Sequence, residues 1–431
     1  MTDSSFDIFP PSLWSASATP AQDFSELNGE RRVEVAVIGG GYTGLSCAIH
    51  LAQRGIEGIV LEARKIGWGA SGRNGGQVIA GLKYNPDELL EMFGEDAGER
   101  LVRAVGAAPD LVFELIKRYK IECDAIKNGW LQGAHSQRGL AAQLERATQW
   151  KRRGVNTSLL DARQASRHIG SDWYLGAWFD PRGGTVQPLS YVRGLGRAAS
   201  GLGVSIFEGT PALHIKRSGS GWQIDTPKGR VLAQQIVIGS NAYGDKGIWP
   251  GLGESVVPAR SLQVATKPLP TEVLKSILPY GQGVSETRRV LRYSRLDASG
   301  RFIMGSRAPD RDFATLEDTK EIQRDIAQIF PQLSGVGLEY VWVGRVAMTQ
   351  DFLPHLHELA KGVYAGLGYN GRGIAMATMM GKMLADRVAG TPALALDFPT
   401  VALKPIRFHR LTPLAAKIYT QWYRLLDRIK V

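Results

Sequence analysis

The stretch Val33-Glu34-Val35-Ala36-Val37-Ile38-Gly39-Gly40-Gly41-Tyr42-Thr43-Gly44 decides the fold. Its first half is a short valine-rich run suited to a buried parallel strand. Its second half carries Gly39-x-Gly41-x-x-Gly44 and opens a helical pattern from Leu45 to Gln53, which Gly55 ends. The run Gly58 to Glu62 is a second buried strand, so the whole reads as a βαβ unit. In that setting Gly39 permits the tight turn, Gly41 lets the backbone approach a pyrophosphate, and Gly44 lets helix and strand pack closely. The helix N-terminus offers free N–H groups and a partial positive charge to phosphates. Glu62 lies 18 residues after Gly44, where an acid can accept from both ribose hydroxyls and would repel a 2′-phosphate.

Two further glycine-rich stretches decide between nucleotide cofactors. Gly67-Trp68-Gly69-Ala70-Ser71-Gly72-Arg73-Asn74-Gly75-Gly76-Gln77 can lie against a flat ligand, with Ser71, Arg73 and Asn74 as donors. Gly366-Leu367-Gly368-Tyr369-Asn370-Gly371-Arg372-Gly373 stands just before another helical pattern, Gly373 to Val388. One helix N-terminus for a pyrophosphate and another for a ring system that gains negative charge on reduction suit FAD.

The remaining order of elements predicts an α/β chain, α+β overall. A Rossmann-like FAD-binding domain is assembled from residues 1–95, 186–255 and 336–400. A discontinuous second domain takes 96–185 and 256–335, and a basic helical tail takes 401–431. The chain of 431 residues is 44% hydrophobic and 22% charged, ordinary for a globular protein of this size. Two cysteines, Cys47 and Cys123, exclude a disulfide framework and a cysteine-based zinc site. His355 and His357 lack a third ligand at suitable spacing, so no metal is expected.

No run is long enough and apolar enough to cross a membrane, and Met1 to Pro20 does not read as a secretory signal. The cytoplasm is the expected compartment. The net charge is +11. Basic charge raises nucleic acid as a partner, but no nucleic-acid motif supports it. Seven basic residues against the single acid Asp427 fall within Val401 to Val431. Tyr419, Trp422, Tyr423, Leu426 and Ile429 fit one helical face there. That face is read first as docked on the body, with the basic residues in solvent. The second reading is peripheral contact with the inner face of an anionic membrane.

These landmarks resemble the FAD-dependent amine and amino-acid oxidoreductases of the D-amino-acid oxidase superfamily, and within it the γ-glutamylputrescine oxidoreductase group. The likeness covers nearly the whole chain and implies that the second, discontinuous domain is a substrate domain built on a mixed or antiparallel sheet. It adds Leu13-Trp14-Ser15-Ala16, Ser240-Asn241-Ala242-Tyr243 and Thr349-x-Asp351-x-x-Pro354 to the stretches above. The resemblance implies that Gly39, Gly41, Gly44 and Glu62 hold the ADP half and that the backbone at Pro211-Ala212 meets adenine. It implies Ser71, Arg73, Asn74 and Gly76 along the flavin, and backbone donors from Gly371 and Arg372 at its pyrimidine edge. Gln77, Arg292, Tyr293, Arg307, Trp342 and Tyr369 are the candidates for the substrate pocket. No catalytic acid or base is assigned.

The departures from the family pattern are informative. Val78, Ala375 and Val346 stand where relatives place carboxylate-binding cations, with Arg345 one residue off. No cysteine follows Cys123, so FAD is expected to be non-covalent. Ile303 stands where oxidases of this kind carry a lysine that activates oxygen. The resemblance therefore implies oxidation of a γ-glutamylputrescine-like amine by hydride transfer to flavin N5. The imine then hydrolyses to an aldehyde, and O2 or another acceptor reoxidises the flavin. Two alternatives stay open: a secondary or cyclic amino-acid dehydrogenase of the L-pipecolate type, which needs a carboxylate-binding arginine, and a non-catalytic FAD-containing subunit of a complex.

Overall fold

The computed structural model describes residues 9–244 and 247–428. Ile429, assigned to the tail's helical face, lies outside them. Five parallel strands form the centre of the first sheet. In spatial order they are Val363–Leu367, Gly229–Ile238, Gly29–Ile38, Gly58–Leu61 and Ser205–Phe207. Their near-continuous apolar runs require cover on both faces. The helices Tyr42–Ala52, Pro188–Gly201, Gly373–Val388 and Glu95–Arg118 share one core with one face. The meander His214–Ser218, Gly221–Thr226 and Gly229–Ile238 belongs with the core of the other.

The second sheet also has eight strands, antiparallel except where Gly283–Glu286 runs parallel to Trp130–Gly133. Strand alternation sends Val264, Phe302 and Met304 toward the helix Leu316–Ile329. It sends Ser261, Gln263 and Tyr293 into a cavity shared with the first sheet. The strand Leu338–Met348 pairs with Val257–Pro268 in this second sheet. The sequence division at residue 336 assigns it to the FAD domain; its antiparallel register instead puts it in the substrate layer.

Local details depart from periodicity for physical reasons. The expected helix over Pro86 to Lys120 breaks at Gly94, whose φ of 79° suits only glycine, into Pro86–Phe93 and Glu95–Arg118. Pro109 inside the second piece has no N–H, which releases the carbonyl of Val105. That carbonyl accepts the N–H of Gly81 at 2.9 Å and ties the helix to the cavity wall. The terminal helix runs over Thr412–Arg428. Tyr419 and Trp422, expected to face the body, are exposed, while Tyr423 and Leu426 are half-buried.

Candidate active site

One cavity of about 400 Å³ lies between the sheets. Its nucleotide end is built from the first βαβ unit. Gly39 adopts a φ of 110°, and a Cβ on Gly44 would stand 1.9 Å from the Gly39 carbonyl oxygen. Only hydrogen at that position lets the helix start so close to the strand. Glu62 is turned back onto the turn and accepts from the N–H groups of Gly40 (2.6 Å) and Arg64 (2.9 Å). Burial pushes its carboxyl above the usual range, against those two bonds. Ser71 Oγ accepts the N–H of Tyr42 at 3.1 Å, so the second glycine-rich loop closes over the helix N-terminus. Ala212 and Pro211 line the same end.

The loop Gly67 to Gln77 forms the floor. Arg64 and Arg73 lie over the Trp68 ring, 4.0 and 4.3 Å from its centroid, and Tyr243 meets Trp68 edge-on. Arg73 Nε donates to the Trp68 carbonyl. Trp68 Nε1 and Arg73 Nη2 are buried with no partner among the described residues. Orphaned donors beside a glycine cradle fit a ligand rich in acceptors, such as FAD. Asn74 lines the cavity but uses its amide locally, donating to the Ala70 and Ser71 carbonyls and accepting from Gly76 N–H at 2.9 Å.

The far wall comes from the second sheet. Trp130, Gln132, Ser261, Gln263, Ser285 and Leu291 all face the cavity, and none was identified from the sequence. Gln77 stitches floor to wall: its Nε2 donates to the Val284 and Ser294 carbonyls (3.1 and 2.9 Å), and its Oε1 accepts from Trp130 Nε1 (3.0 Å). Tyr293 lies against Gly75 and Gly305, where a Cβ would strike its ring, and its hydroxyl meets Ser261 Oγ at 2.7 Å. Burial pushes that phenol up to about 12.

Arg372 stands at the N-terminus of the helix Gly373–Val388 and lines the cavity, and its Nη1 donates to the Ala80 carbonyl. Desolvation pushes the guanidinium down to about 9, helped by the nearby Arg146 and Arg182 and opposed by Asp180. Asp180 is itself held by Arg182 at 2.6 Å.

A family model described as FAD dependent oxidoreductase (DAO) matches residues 34–387, which runs through both sheets and stops before the terminal helix Thr412–Arg428. The chain belongs to this DAO family. It is 33% identical to the probable oxidoreductase OrdL of Haemophilus influenzae over 94% of this chain and 95% of that protein. It is 34% identical to the gamma-glutamylputrescine oxidoreductase of Escherichia coli over 88% of this chain and 89% of that one. Among solved structures, glycine oxidase from Geobacillus kaustophilus superposes with a TM-score of 0.73 at 22% identity, over 87% of this chain and 99% of that one. The protein is therefore an FAD-dependent oxidoreductase of the DAO family that acts on C–N bonds of amines or amino acids.

Within this DAO fold, Gly39, Gly41, Glu62, Ser71, Arg73, Asn74, Ala212, Gly371 and Arg372 all line one cavity, as do Gln77, Tyr293 and Tyr369. Gly44 and Gly76 stand behind it. Gly76, at a φ of 69°, leaves room for Arg295, which donates to its carbonyl at 2.9 Å. Three substrate candidates need correction. Arg292 turns away to Asp325 (2.5 Å) and Glu321 (3.4 Å). Trp342 lies behind the floor, its Nε1 holding the Arg73 carbonyl at 3.0 Å. Arg307, opposite Ser261 on the neighbouring strand, is not among the described residues lining the cavity. Tyr369 is also redirected: its hydroxyl meets Thr43 Oγ1 at 2.6 Å, on the nucleotide side. Cys47 and Cys123 are buried away from the cavity lining. Ile303 is packed in the core, and no lysine is among the described lining residues. No group of acidic, histidine or cysteine residues suited to a metal occurs among the described residues.

Proposed function

We propose that this enzyme oxidises an amine of the γ-glutamylputrescine kind, whose reacting carbon carries no carboxylate. The observation that carries this reading is the state of three positions. Val78 and Ala375 are wholly buried in apolar core, and Val346 presents an apolar side chain to the cavity. None can clamp a carboxylate beside the reacting carbon. The neighbouring Arg345 is neutralised by Asp312, whose carboxyl that pairing holds down at about 2. The likeness to gamma-glutamylputrescine oxidoreductase supports the same substrate class.

In this reaction the carbon beside the amine nitrogen loses a hydrogen with its electron pair. The resulting imine takes up water and leaves as an aldehyde and ammonia. FAD supplies the two-electron acceptor when bound, and O2 or another oxidant recovers the electrons. Gln77, Trp130 and Tyr293 shape the wall that orients the carbon and excludes water. No side chain is required as a general base.

Arg372 favours a second reading, a secondary amino acid such as L-pipecolate. It is a half-buried cation lining the cavity, and the acid beside it, Asp180, is already bound to Arg182. A substrate carboxylate would satisfy it. Turnover of γ-glutamylputrescine and L-pipecolate by the holoenzyme and by Arg372→Gln separates the two. The main reading expects aldehyde and ammonia from the first substrate and less than about a tenfold loss of kcat/KM in the variant. Turnover of pipecolate alone, with KM raised at least about tenfold in Arg372→Gln, establishes the second. FAD content with no reduction by any amine would show a non-catalytic flavin subunit.

A further inference from the structure

We infer that the terminal helix Thr412–Arg428 presents a docking face for an anionic lipid surface. Leu411, Leu414, Ile418, Trp422 and Leu425 recur at steps of three and four residues and so form one stripe. All five are between 49% and 62% exposed, and Tyr419 beside them is 61% exposed. A single exposed leucine needs no explanation. A stripe of five large apolar side chains, with a tryptophan and a tyrosine, does.

The stripe is not a helix face waiting to roll inward. Its opposite edge is fixed to the body: the Asp427 carboxylate accepts from the N–H groups of Arg289 (3.0 Å) and Val290 (2.9 Å). Arg424 Nη2 binds Glu321 at 2.7 Å. Before the helix, His409 is held at the Val256 carbonyl and the Ile406 N–H at the Glu254 carbonyl. The only acid of the tail is thus consumed inward, and the outward surface keeps its positive charge.

Charge selects the occupant. Lys404, Arg407, Arg410 and Lys417 are exposed and have no ion pair among the described residues. A second copy seated on the stripe would bring these like charges together across the contact. An anionic bilayer complements them, while Trp422 and Tyr419 suit the headgroup boundary and the aliphatic side chains the acyl edge. No helix among the described residues is long and apolar enough to cross a membrane, so the contact would be peripheral.

The test uses the full-length holoenzyme and sedimentation with vesicles of phosphatidylcholine, with or without phosphatidylglycerol. Binding to the anionic vesicles is expected to exceed binding to the neutral ones by about tenfold or more and to weaken as salt is raised. Ile418→Glu and Trp422→Glu should each abolish it while FAD content and amine turnover stay unchanged. Absence of vesicle binding, or equal binding to both compositions, would overturn the proposal. So would a concentration-dependent dimer that Ile418→Glu dissolves, because the stripe would then belong to a second copy.

Discussion

The two ends of the cavity are built in opposite ways. The nucleotide end comes mostly from nearly continuous chain: Gly39 to Gly44, Glu62 and Ser71 to Gly76 all lie within 38 residues of one another. Its geometry is set by backbone, through positions where a side chain would strike a carbonyl. The substrate end draws Trp130, Ser261, Ser285 and Tyr293 from four strands of the second sheet. Its geometry is set by side-chain hydrogen bonds between distant segments, as at Gln77. The first arrangement fixes one cofactor class.

The comparison breaks if damage at the two ends has the same signature. The largest effect is expected from Gly44→Val, which forces the helix off the strand. It should lose FAD and at least about 4 kcal/mol of stability, read from the flavin-to-protein absorbance ratio and a denaturant melt. Next is Gln77→Leu. It strands Trp130 Nε1 and two carbonyls, so it should cost about 3 kcal/mol and raise KM while FAD is retained. Glu62→Gln should weaken FAD binding by about 2 kcal/mol with KM for the amine unchanged, measured by flavin release under dilution.

The smallest effect concerns Glu286, next to cavity-lining Ser285. Burial pushes its carboxyl up to about 7, against Arg288 and Arg292. The native state therefore holds this proton to higher pH than the unfolded chain, whose carboxyl titrates near 4.5. Its contribution to stability is complete below that value and is lost as pH rises to about 7. This group should make the protein more stable at pH 5 than at pH 7.5 in melts, and Glu286→Gln should flatten the slope. A parent protein that gains stability over this interval through the same residue would refute the assignment.

The nucleotide end was legible in the sequence because its signals are local. A strand, three glycines and an acid at fixed spacing require no knowledge of the rest of the chain. The family was legible from landmarks spread along the chain, and the two-sheet plan came with that resemblance. The division at residue 336 failed because which sheet a strand such as Leu338–Met348 joins is decided by pairing with Val257–Pro268, not by its own residues. Arg292 read as a pocket cation because nothing near it in sequence announces Asp325 and Glu321, one helix later, as its partners. Arg372 read as a backbone donor, while its side chain also reaches the cavity as a cation whose neighbouring acid, Asp180, is already bound to Arg182. Trp130 and Ser285 carried no signal at all, since their facing depends on register across the second sheet.

The most direct test of the account is anaerobic titration of the purified holoenzyme's visible spectrum with γ-glutamylputrescine and, separately, with L-pipecolate. The account predicts a flavin spectrum that bleaches with the γ-glutamyl amine and not with pipecolate. A flavin reduced by pipecolate alone would contradict the proposed substrate class, and a preparation that never carries flavin would contradict the reading of the cavity itself.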